Sequence, residues 1–113
     1  MHPQSVPAVS PQQAAQAAPA DAVLLDVRED DEWALGRAPS AQHIPLHDLP
    51  ARLDDMPRDR PVAVVCRVGG RSAQATAFLR AHGVDAVNVD GGMLAWAAAG
   101  LPLEGDAEPP RVL

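Results

Sequence analysis

Apolar positions in this chain fall into short blocks, and the blocks alternate between two periods. Ala22-Val23-Leu24-Leu25-Asp26-Val27 and Val62-Ala63-Val64-Val65 are almost unbroken apolar runs of strand length. Such runs suit strands buried on both faces of a parallel sheet, because helices cover each side. Ala86 to Val89 reads as a further strand. Val6 to Val9 reads as a short first strand, and Gln42-His43-Ile44-Pro45 as a brief one stopped by proline.

Between these runs the spacing turns helical. Ser72 to Ala81 is the clearest helix, with Ala75, Phe78, Leu79 and His82 on one repeat and Gly83 to close it. Met93 to Ala99 places Met93, Trp96 and Ala97 on one face before Gly100. Ser10-Pro11 reads as an N-cap with proline at the first helical position, opening a helix over Gln12 to Ala18. Glu29 to Leu35, ended by Gly36, and Asp48 to Asp54 read as two more short helices. Strands alternating with helices predict an α/β layered fold around a largely parallel sheet. Gly105 to Leu113 is acidic and contains proline, and it reads as a loose tail. The predicted organisation is therefore one domain over 1–104 and a tail over 105–113.

Composition narrows the picture. A length of 113 residues suits one domain with one real core. With aromatics at 3%, that core must be built mostly from Val, Leu and Ala, so Trp33 and Trp96 are both expected inside it. The net charge of −6 argues against nucleic acid or an anionic membrane as the main partner. A single cysteine cannot form an internal disulfide, which removes the secreted disulfide scaffold. Met1-His2-Pro3-Gln4-Ser5 lacks a basic stretch followed by an apolar one, and no apolar run approaches a membrane span. A cytoplasmic location is the expectation.

The candidate chemistry sits at that one thiol. The run Val62 to Val65 delivers Cys66 to Arg67-Val68-Gly69-Gly70-Arg71-Ser72, and a helix follows directly. Ligands in parallel sheets bind outside the carboxyl ends of the strands. Glycines allow loop amides to turn inward, and inward amides beside a helix start stabilise a negative sulfur or a bound oxyanion. Such settings lower a thiol pKa from about 8.5 to roughly 3.5–7.5. A lone cysteine is most often a small buried hydrophobe. The two glycines and two arginines within the next five residues point instead to a nucleophile, with Arg67 and Arg71 offering forked donors to an anionic substrate.

At these residues the chain resembles a rhodanese domain, a sulfurtransferase family, over about Val6 to Glu104. Four blocks carry the resemblance. Leu24-Leu25-Asp26-Val27-Arg28-Glu29 with Glu32-Trp33 is similar to the family's N-terminal signature. Gly36-Arg37-Ala38-Pro39-Ser40-Ala41 with His43-Ile44-Pro45 resembles its second block. Cys66 to Ser72 is similar to its active-site loop, and Asn88-Val89-Asp90-Gly91-Gly92-Met93 with Ala95-Trp96 to its C-terminal signature. In the second block Arg37, Ala38 and Ser40 replace the usual His, Ile and Gly. Arg67 departs from the small uncharged residues of mercaptopyruvate-specific relatives and looks more like the thiosulfate-using type. The resemblance implies five parallel strands flanked by helices on both faces, with the Val6, Ala86, Val62, Val23 and Gln42 strands adjacent in that order.

It also implies a reaction. The Cys66 thiolate takes a sulfane sulfur from a small anionic donor such as thiosulfate. It then carries that sulfur as a persulfide and passes it to cyanide or a thiol, without any bound cofactor. Residues 67–72 form the binding loop. Asp26 and Arg28, at the end of a neighbouring strand, read either as a buried ion pair fixing that strand or as support for Arg71 and the loop. His43 and His47 have no partners at metal-ligand spacing, so no metal is expected. Two other classes compete. A relay module would accept sulfur from a protein persulfide and hand it to a partner protein. A phosphatase or arsenate reductase needs five residues between Cys and Arg, whereas four stand here.

Overall fold

Leu25 of one strand lies beside Val64 of the next, both fully buried, in the middle of a five-stranded parallel sheet. The computed structural model describes residues 6–113. Its strands are β1 (Ala8–Val9), β2 (Val23–Asp26), β3 (Gln42–His43), β4 (Val62–Val65) and β5 (Ala86–Val89), arranged β1-β5-β4-β2-β3. This is the order the resemblance implies. The helices are α1 (Pro11–Ala17), α2 (Asp30–Leu35), α3 (Gly70–Ala81) and α4 (Gly92–Ala98).

Alternation along the buried strands divides the core in two. Val23, Leu25, Val62 and Val64 face Ala75 and Leu79 of α3, with Leu49 and Met56 closing that side. Leu24, Ala63 and Val65 face Ala14 of α1 and Met93 and Trp96 of α4. Helices thus cover both faces, which is why β2 and β4 carry no polar side until Asp26. Ser10 caps α1 as its sequence predicts, its hydroxyl accepting from Gln13 N–H at 3.0 Å while the Gln13 side chain accepts from Ser10 N–H at 2.9 Å.

The structure corrects several expectations. The helix predicted over Asp48 to Asp54 is two 3₁₀ segments, Leu46–Asp48 and Pro50–Asp55. Pro50 has no N–H to give to Leu46 O, so the turn that begins at Leu46 cannot run on through it as one α-helix, and a second segment starts with Pro50 in its first turn. The helix after Cys66 starts at Gly70 rather than Ser72, because Gly69 turns the chain at φ 119°. Its inner face is Ser72, Ala75, Thr76 and Leu79, which leaves His82 exposed at the C-cap. Trp96 is core, but Trp33 is only half-buried and stacks on His43 with ring centroids 4.5 Å apart.

Residues 105–113 lack regular structure but do not hang loose. Asp106 N–H donates to Ala34 O at 2.7 Å and Arg111 N–H to Leu35 O at 3.2 Å, and Val112 packs against the α1/α4 side of the core. These bonds satisfy carbonyls that the end of α2 cannot satisfy internally. Gly36, which ends α2 in extended backbone, is needed for space: a Cβ there would strike the Arg111 carbonyl. Among the described residues no helix is long and apolar enough to cross a membrane.

Candidate active site

Strand β4 ends at Val65, and the next residue is Cys66, 1% exposed, at the carboxyl edge of the sheet. Its sulfur is a hydrogen-bond acceptor twice over. Gly69 N–H donates to Sγ at 3.1 Å and the Ser72 hydroxyl donates at 3.2 Å. Burial pushes the thiol pKa up. The Ser72 hydroxyl and the backbone amides of Ser72, Gly69 and Val68 together outweigh burial, and the pKa falls below its ordinary value.

The amides of Val68, Gly69 and Ser72 act on the sulfur, while the carbonyls of Cys66, Arg67 and Gly69 are engaged elsewhere. Met93 N–H donates to Cys66 O at 2.8 Å and Leu94 N–H to Arg67 O at 3.0 Å, so the first turn of α4 holds the loop's near half. Ala73 N–H and the Asn88 side-chain amide hold Gly69 O, at 3.0 and 3.3 Å. Gly92 lets α4 come this close. Its φ is 61°, and a Cβ would lie 2.5 Å from the carbonyl oxygens of both Cys66 and Arg67. Gly69 supplies the positive φ within the loop. Gly70 does not; it is an ordinary helical residue with open space around it.

The two arginines are differently placed. Arg67 is exposed and its Nε donates to the Leu113 carbonyl, while Val68 beside it is 55% exposed. Arg71 was expected to offer its fork to a substrate. In the structure that fork is filled by Glu32, with Nη1 to Oε1 at 2.7 Å and Nη2 to Oε2 at 2.9 Å. The Arg71 guanidinium holds the Glu32 carboxyl down at about 2. Glu32 is anchored from within its own helix as well, because the same Oε1 also accepts Glu29 N–H at 3.0 Å and closes the first turn of α2.

Asp26 and Arg28 form a fully buried pair, Nη2 to Oδ2 at 2.9 Å with Nε 3.1 Å from both oxygens. Arg28 also donates to Gly36 O at 2.8 Å and Glu32 O at 3.4 Å. The pair therefore pins both ends of α2 to the end of β2. It makes no hydrogen bond to Arg71, and it reaches the loop through the helix that carries Glu32 and through the end of β2, where Val27 N–H donates to Val65 O at 3.0 Å beside Cys66. His43 is tied to Arg28 O at 2.8 Å. Among the described residues no group of three His, Cys, Asp or Glu side chains could hold a metal ion.

Sequence reasoning missed three contributors. Glu32 had been noticed only as part of a signature; an acidic residue in the first turn of a helix needs no partner elsewhere, so nothing local announced Arg71. Asn88 was legible as a polar residue inside a strand buried at its neighbours, and it is 8% exposed with Oδ1 unpartnered among the described residues. Gly92 was legible as the second of two adjacent glycines, but the carbonyls it admits lie 25 and 26 residues earlier in the chain.

A sequence model of the rhodanese-like domain matches residues 10–99. The chain belongs to that family. Rhodanese-like proteins of known structure share its architecture. A rhodanese-related protein from Thermoplasma volcanium superposes with a TM-score of 0.81 at 31% identity, covering 87% of this chain and 97% of its own. A rhodanese-like domain protein from Staphylococcus aureus gives 0.75 at 30% identity, covering 96% and 99%. A sulfurtransferase from Allochromatium vinosum is 44% identical over 84 residues, which is 74% of this chain and 78% of that protein. Rhodanese-like membership and this relative together support a sulfurtransferase in the general sense.

Proposed function

We propose that this rhodanese-like domain moves a sulfane sulfur from a small anionic donor such as thiosulfate to a thiophilic acceptor, cyanide or a thiol, through a persulfide on Cys66. The observation that carries the reading is the Cys66 sulfur held by Ser72 Oγ and Gly69 N in a loop whose carbonyls point away. Those donors favour the thiolate, which is the nucleophilic form. The thiolate attacks the outer sulfur of thiosulfate, the S–S bond breaks, and sulfite leaves with the bonding pair. The new terminal sulfur is anionic and lies where the amides of residues 67–72 can stabilise it, as an oxyanion hole would. The acceptor then attacks that sulfur and regenerates the thiolate. Arg67 and Arg71 serve the donor's anionic end, Arg71 only once Glu32 releases it.

Intact-protein mass spectrometry after incubation with thiosulfate tests the reading. Wild type should gain about 32 Da and Cys66→Ser should not. Loss of the thiol without loss of sulfur transfer would sink it. A second reading, a relay fed by a protein persulfide, draws support from the occupied Arg71 fork, which leaves less positive charge for a small dianion. A stable persulfide with negligible turnover on small donors favours the relay, and fast turnover favours the enzyme.

A further inference from the structure

Glu32 and Arg71 meet beside the nucleophile although they belong to different helices, and their bond has a consequence for the donor. A thiosulfate ion carries two negative charges, shared between its outer sulfur and its sulfonate-like end, and the natural complement for that end is a guanidinium fork. Of the two guanidinium groups on the loop, Arg67 is exposed and turned to the Leu113 carbonyl through Nε, and both parallel N–H groups of the Arg71 fork already serve a carboxylate. The carboxylate is 12% exposed and braced by Glu29 N–H, so moving it aside also uncaps α2. An approaching dianion meets the negative Glu32 at the place where it needs a cation. We propose that Glu32 is a specificity-determining residue that selects against dianionic sulfur donors and in favour of thiol persulfides, whose reacting end carries one charge and needs no fork.

The preferred step is balanced without further reagents. The Cys66 thiolate attacks the terminal sulfur of R–S–S⁻, a Cys66–S–S⁻ persulfide forms, and R–S⁻ leaves with the bonding pair and takes a proton from water. The inference rests on the Cys66 persulfide reading and departs from it on the donor, moving the preference from thiosulfate to thiol persulfides. The charge selection itself is a property of the thiol site and can be read without sulfur transfer.

Two paired measurements test it on wild type and Glu32→Gln, a change that keeps an acceptor for Glu29 N–H and removes the charge. The first is the ratio of kcat/KM for thiosulfate to that for the persulfide of 2-mercaptoethanol, with cyanide as acceptor. The second is the ratio of Cys66 alkylation rates by iodoacetate and iodoacetamide, in which the thiolate fraction cancels. Removing one close charge should raise both ratios about tenfold. Adding Arg71→Gln to Glu32→Gln should return them towards wild type, because the gain needs the released fork. Glu32→Ala serves if the glutamine variant does not fold. Ratios that stay within twofold of wild type overturn the inference and leave Glu32 as an anchor for α2. If neither donor loads sulfur onto Cys66 while the alkylation ratio still rises, the charge selection stands and the sulfurtransferase reading falls.

Discussion

The hydroxyl of Ser72 donates to the sulfur of Cys66 at 3.2 Å, and both side chains are closed off from solvent. Ser72 sits in the first turn of α3, and Thr76 one turn on donates its own hydroxyl to Ser72 O at 2.7 Å. The serine is therefore held on both sides, and its proton is committed to the thiolate.

Ser72→Ala removes that donor and leaves burial less opposed. The thiol pKa rises, so less thiolate is present at neutral pH. Sulfur transfer at pH 7 should fall about tenfold, the order of one lost hydrogen bond to a charged group at about 1.5 kcal/mol. The rising limb of the pH–rate profile should move to higher pH, with activity partly recovered there. Alkylation of Cys66 against pH checks the cause, and an unmoved limb would assign Ser72 to packing alone.

Asp26→Asn breaks the buried pair and leaves the Arg28 guanidinium without its charge partner. Removing one member of such a pair costs about 3–5 kcal/mol. Urea unfolding should show a midpoint well below wild type. The bonds from Arg28 to Gly36 O and Glu32 O depend on where its guanidinium is held, so α2 and Glu32 should loosen too. An unchanged midpoint with unchanged kinetics would remove both roles for the pair.

The glycines in and against the loop are not equivalent. Gly92→Ala pushes a methyl group against the carbonyls of Cys66 and Arg67 at a φ of 61°. It should lower the thermal midpoint and displace the loop, with loss of sulfur transfer. Gly70→Ala meets nothing within 4 Å and sits in helical backbone. It should raise stability by about 0.4–1 kcal/mol through the unfolded chain. Thermal unfolding of the two variants side by side tests the contrast.

Glu32 is held at about 2 in the folded chain against 4.5 ordinarily. A depressed carboxyl favours folding once it is ionised. Its contribution is complete above pH 4.5 and fades as the pH falls through about 2. The difference in thermal midpoint between wild type and Glu32→Gln should shrink across that window on acidification. A difference constant down to pH 2 would mean that the Arg71 pair contributes nothing through its charge.

Much of this was legible before the chain was folded. The apolar runs at Val23 to Leu25 and Val62 to Val65 state their own burial, because a strand covered on both faces has no polar side to show. The end of such a run places Cys66 at the carboxyl edge of the sheet, and Gly69 marks the turn that a side chain would resist.

Other features had no local signature. Arg71 and Glu32 are 39 residues apart, and either would be at ease on a solvated helix. Trp33 left the core because α2 buries no residue of its own, so the ring lies over His43 instead. The segment 105–113 is polar enough for a tail, yet it is bound by carbonyls at the end of α2.

The sequence by itself determined the elements, the two-faced burial of the sheet and the position of Cys66 at its carboxyl edge, because each depends on neighbours within one turn or one strand. Only the tertiary structure decided which groups hold the loop and which anion occupies the arginine fork. Hydrogen bonds and ion pairs act over a few ångströms of space, and the placement of α2 beside Arg71 of α3 and of α4 beside the Cys66 loop chooses their partners without regard to distance along the chain.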